Sequence, residues 1–152
     1  MLVRNLTRKR AEMAMRRARG DRGAAAVEFA IVASLLILLL FGIFDTGMFI
    51  NANAVVANAV RDGARAAGLG ASETSVRAKV TSGVQGVPGY RAAFLQSITM
   101  TCTNPTGGAT LCTAPNIRGG SVVVTATYTY DWLTPFGLGT TNIVKRSEMI
   151  IE

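Results

Sequence analysis

The sequence predicts an α+β fold in which a long N-terminal helix, membrane-spanning over its first part, packs against a small antiparallel β-sheet. Three observations carry this expectation. A sixteen-residue run without a charged side chain, FAIVASLLILLLFGIF, occupies residues 29–44. An Ala/Asn-rich stretch of helical period continues it to about residue 67. Two later segments alternate between apolar residues and, Val123 and Asp131 apart, threonines, the period of a strand with one buried face.

The apolar run has the length and composition of a membrane span once its flanks, residues 24–28 and 45–50, are added. Glu28 and Asp45 bracket it seventeen positions apart, about 26 Å at the helical rise, near the thickness of a bilayer's hydrocarbon core. Ahead of it, residues 1–23 carry eight basic side chains (Arg4, Arg8, Lys9, Arg10, Arg16, Arg17, Arg19, Arg22) against Glu12 and Asp21, so this short stretch holds +6 of the chain's net +7. A basic patch immediately before an apolar helix marks a cytoplasmic flank and places the rest of the chain on the far side of the membrane. It is not the spread of Lys and Arg with aromatic partners that a nucleic-acid surface requires, so no nucleic acid is expected as partner. The small residues that a secretory signal peptide needs after its apolar run are here before it, at Gly23, Ala24, Ala25 and Ala26, so the helix is expected to stay in the mature protein.

Beyond the span, Val55, Val56, Ala59, Val60 and Ala64 recur at helical spacing, and Gly68 with Gly70 supplies a stop. Unbroken over residues 24–67, this helix would be about 66 Å long, with a bend conceivable at Gly63. Ser72-Glu73-Thr74 reads as the start of a second, short helix with Val76, Val80 and Val84 on one side. Ile98, Met100 and Cys102 then alternate with threonines, as do Val122, Val124, Ala126, Tyr128, Tyr130 and Trp132 with their intervening residues. A third strand is expected over residues 141–151, with Ile143, Met149 and Ile151 inward and Lys145 and Ser147 as exceptions. The aromatics Tyr128, Tyr130 and Trp132 form either a stacking surface for glycan or DNA or part of the core; alternating strand positions favour the core. The chain divides into residues 1–23 as leader, 24–50 as span, 51–70 as the continuation of the helix, and 71–152 as an exported α+β region.

The chain has no histidine, which removes the commonest general base and most transition-metal chemistry. Beyond residue 50 the acids are Asp62, Glu73, Asp131, Glu148 and Glu152, scattered without a catalytic spacing. No enzymatic activity, metal or cofactor is therefore expected. Cys102 and Cys112 flank a turn-rich loop on the exported side, where disulfides persist, and a structural bond between them is expected. Closing so short a loop stabilises by about 3 kcal/mol in the chain-entropy picture. Asp45, between Gly42 and Gly47, fits either a helix-packing contact or a carboxylate at headgroup level, the second being preferred. The Arg19-Gly20-Asp21 tripeptide lies on the cytoplasmic flank and carries no adhesive reading.

The string Gly23-Ala24-Ala25-Ala26-Val27-Glu28-Phe29, a glycine after a basic leader followed by Glu-Phe and an apolar helix, resembles the type IV prepilin site in the form found in Flp and Tad pili. Gly42-Ile43-Phe44-Asp45-Thr46-Gly47 and the segment from Arg61 to Gly68 resemble the TadE-like pseudopilins. The likeness covers about residues 20–70, and TadF, a close relative, shares much of it. It implies a type IV pilin-like fold and cleavage by a membrane-embedded prepilin peptidase between Gly23 and Ala24. Glu28 would then attract the new amine of a neighbouring subunit, with Phe29 completing the motif. The implied setting is the bacterial inner membrane and a Tad pilus, with other pilins or pseudopilins, the assembly platform and the lipid bilayer as partners. From the residues alone, Glu28 is equally a carboxylate favoured by a helix N-terminus. The rival reading of the whole chain is an uncleaved signal-anchored protein whose exported domain binds a ligand or partner.

Overall fold

A computed structural model describes residues 2–113, 117–133 and 139–152, with side chains from Gly23 onward. The basic side chains of residues 1–22, with the tripeptide at residues 19–21, lie outside the described side chains. Helix α1 runs Leu2–Gly68 and helix α2 Glu73–Val84; a single 3-10 turn, Ala92–Phe94, leads into strands β1 Leu95–Thr103, β2 Ala109–Thr110, β3 Ser121–Asp131 and β4 Thr140–Ile150. The chain forms two compact units, Met1–Ile43 and Phe44–Glu152.

The first unit is helical throughout its described residues. From Gly23 onward it is the apolar segment itself, whose best window has a mean hydropathy of 2.7 and buries none of its residues within the protein. Phe29, at 74 % exposed, and the successive Leu35–Leu40 side chains all face outward. Such a surface is stable only against lipid or other apolar helices.

The second unit is a four-stranded antiparallel sheet of order β2-β1-β3-β4, covered on one face by residues 44–68 of α1 and by α2. The helix buries Ala52, Val56, Ala59, Val60, Ala64 and Ala67, recurring at three and four residues as an amphipathic stripe requires. Opposite them stand Ile98 and Cys102 from β1, Val122, Val124, Ala126, Tyr128 and Tyr130 from β3, and Ile143 from β4, alternate residues of each strand. Val76, Val80 and Val84 are the buried side of α2, whose N-cap Ser72 accepts from the Ser75 amide at 3.3 Å. Strands β1 and β3 thus sit where their alternation put them. Met149 is the departure, exposed although in phase with Ile143, because β4 is the edge strand and is flanked by the sheet on one side only. The two-residue strand β2 is too short for any periodicity to announce it.

Gly63 does not bend α1, which passes through it unbroken. Its role is steric: a Cβ there would collide with the Val80 Cγ2 of α2. Gly83 answers from α2, where a Cβ would lie 2.7 Å from that of Ala59. The two helices approach this closely because each presents a glycine to the other. Gly70, at φ 83°, terminates α1 in the left-handed conformation that glycine adopts without strain. Beyond it the chain's end is tied back, Glu152 donating to the Gly68 carbonyl at 3.1 Å and Ile151 to that of Gly120 at 2.9 Å.

Cys102 and Cys112 are joined by a disulfide with Cα atoms 5.2 Å apart. The bond closes the β1–β2 hairpin, in which Asn104 Oδ1 accepts from the Gly108 amide at 2.7 Å. A two-residue ladder has little stability of its own, and the covalent link holds it.

Candidate functional site

The residues of the sequence motif lie along one helix but in two surroundings. Gly23, Ala24, Glu28 and Phe29 are in the first unit and are exposed, and a methyl group built at Gly23 would meet no atom. The Gly23–Ala24 peptide bond is inside α1, so a protease that reads an extended chain must first unwind that turn. Glycine makes this easier, by about 1 kcal/mol relative to alanine. Glu28 is four positions beyond Ala24 and so shares its face of the helix. Cutting at Gly23 would leave a charged amine at Ala24 one turn from the carboxylate.

Of the predicted packing set, Gly42 is in the first unit and Gly47 in the second. A Cβ at either would meet no described atom. Asp45 makes packing contacts, the reading the sequence left second: it is 2 % exposed, accepts from the Tyr130 hydroxyl at 3.1 Å and receives the Leu133 amide at 3.4 Å. The end of β3 and the residues after it cover the carboxylate, and hydrogen bonds offset the cost of burying it. Burial, first, and the bond to Asp45, second, push the Tyr130 phenol up to about 12, so at neutral pH the phenol keeps its proton.

Around this bond the aromatics form a cluster. Phe49 stacks on Trp132 at 5.0 Å between centroids and meets the Tyr130 ring edge-on at 5.3 Å, while Trp132 Nε1 donates to Thr141 Oγ1 at 2.8 Å. Tyr128, Tyr130 and the partly buried Trp132 are therefore core, as their alternation indicated. Sequence reasoning missed Tyr130 and Leu133 as partners of Asp45. The available signal was that an acid at the end of an apolar run needs a donor, and Tyr130 and Leu133 are 85 and 88 residues away. Among the described residues no three His, Cys, Asp or Glu side chains come together as a metal site.

Residues 23–65 match the family described as TadE-like protein. This segment is similar to that family. The TadE-like segment starts at the glycine of the prepilin-type string and ends within the helix that packs on the sheet, so it includes Glu28, Asp45 and Gly63 while the sheet lies outside it. The match suggests a role related to Tad pili, with Tad pilus components as associates, and the apolar helix fits a single-pass membrane protein. The chain has no significant match to a curated protein or to a solved structure.

Proposed function

We propose that this chain is a minor pseudopilin, a non-enzymatic subunit that is cut by a prepilin peptidase between Gly23 and Ala24 and takes part in assembling a Tad-type pilus. The observation that carries the reading is the TadE-like match beginning at Gly23 itself, at the head of the string that ends in Glu28-Phe29 and opens into the apolar helix. The subunit waits in the inner membrane with its N-terminal flank in the cytoplasm and the unit Phe44–Glu152 outside. It then leaves lipid by packing its bare helix on those of other pilins and of the assembly platform. The exposed Gly47, where a Cβ would meet no described atom, permits close approach. Glu28, costly inside an apolar array when unpaired, is offset by the Ala24 amine of a neighbour.

Replacing Gly23 with Trp should leave full-length protein in the membrane fraction of the native host, while the wild-type protein begins at Ala24 on N-terminal sequencing. A wild-type chain that keeps Met1, in cells whose peptidase processes another pilin, would sink the proposal and leave a simple signal anchor.

A further inference from the structure

The second unit contains a cavity of about 140 Å³ lined by Met48, Arg91, Phe94, Tyr128, Tyr130 and Leu133, with Pro88, Gly89 and Asp131 completing its wall. Three features set it apart from a packing defect. The Tyr128 side chain, 2 % exposed, lines it, and the Tyr128 hydroxyl has no hydrogen-bond partner among the described residues. A buried hydroxyl in that position is destabilising unless an acceptor is supplied. Its proton is firmly held, since burial and then Tyr90 raise its pKa, so it can only serve such an acceptor as a donor. Second, among the described residues the wall carries one cation and one anion: Arg91, exposed with its guanidinium carbon 5.7 Å from the Phe94 ring centre, and Asp131. Third, Met48 places the cavity beside the helical turn just after the uncharged run, and Leu133, 68 % exposed, adds an apolar rim.

We infer that this cavity binds the headgroup of a zwitterionic membrane phospholipid, its phosphate held by Arg91 and the Tyr128 hydroxyl and its ammonium by Asp131. Arginine and a neutral phenol are both phosphate donors, and the aromatic wall adds a cation–π surface for the ammonium. The apolar rim suits the glycerol and first acyl carbons. The inference rests on the proposed membrane setting, which supplies the lipid at this level of the helix. Bound there, a lipid would hold the sheet-bearing unit at the membrane surface until the subunit is extracted.

The test uses full-length protein, purified in detergent and equilibrated with equimolar vesicles of phosphatidylethanolamine and phosphatidylglycerol, with retained lipid counted by native mass spectrometry. The expected result is one phosphatidylethanolamine per chain, falling about fivefold or more in Arg91→Gln and in Tyr128→Phe, the loss of one charge-assisted or neutral hydrogen bond. Arg77→Gln, remote and paired with Glu73 at 2.7 Å, should leave retention unchanged. Equal retention of both lipids, insensitive to Arg91 and Tyr128, would mean annular lipid and overturn the inference. So would displacement of the lipid by soluble phosphoethanolamine, which would assign the site to a free phosphate ester. Carbonate washing of membranes separates the two readings: protein that stays in the pellet but retains no lipid removes this inference alone, whereas protein released into the wash removes the membrane setting beneath it.

Discussion

One helix carries two opposite surfaces. Over residues 29–44 it exposes Phe, Ile and Leu side chains all round, and over residues 52–67 it buries Ala and Val along a single stripe. Size runs against burial because the neighbours differ. Lipid or a future helix partner gives large side chains an apolar medium without fixed shape. The sheet and α2 are rigid surfaces at close range that admit only small residues, down to the missing Cβ of Gly63. The first surface is specified by hydrophobicity and the second by volume, so substitutions that break one should leave the other intact.

The largest effect expected from breaking the contrast is at the bare surface. Ile37→Arg places a charge at the middle of the apolar run and should cost about 3 kcal/mol of membrane insertion. The check is carbonate extraction of membranes, where the variant moves to the soluble wash. A protease-resistant core for residues 44–152 should persist in it.

The reverse change is at the packed surface, where Gly63→Val forces two methyl groups into Val80. Overpacking of this kind costs about 1–3 kcal/mol, read as a lower thermal midpoint of the detergent-solubilised protein with membrane retention unchanged. A variant as stable as wild type would show that α2 is free to move away.

The smallest expected effect is at Asp45, where along the chain one surface gives way to the other. Tyr130→Phe removes one of the donors to Asp45 and should cost about 1 kcal/mol, the scale of a single buried hydrogen bond. The pH dependence has a definite sign. A phenol raised from 10.0 to about 12 on folding contributes stability that is whole below pH 10 and is lost as pH rises toward 12. An absorbance titration should show tyrosine ionisation near the top of that window, and Tyr130→Phe should weaken the alkaline dependence, leaving the part that the raised Tyr128 contributes. A Tyr130 that titrates at its ordinary value of 10.0 in the folded protein would contradict the buried bond.

Much of this was legible in the chain because local pattern and final environment agree. The apolar run, the Ser72 start of α2, the alternating strands and the cysteine pair are all short-range signals, and each is a contact with solvent, lipid or a near neighbour. The motif from Gly23 to Phe29 is likewise a local string. The features that stayed hidden depended on distance along the chain. Nothing near Asp45 names Tyr130, and nothing near Gly63 names Val80; a glycine in a helix reads as weakness until a second helix is found against it.

The sequence by itself determined that there is a lipid-compatible helix, on which side its charges gather, and which residues of each strand face inward, because periodicity and hydrophobicity are properties of the chain alone. The tertiary structure alone decided that Asp45 is a buried acceptor, that Gly63 is a packing surface, and that Tyr128 ends in a cavity beside Arg91. Those outcomes depend on which distant side chain arrives with the right donor, volume or charge, and only the folded geometry brings them within reach.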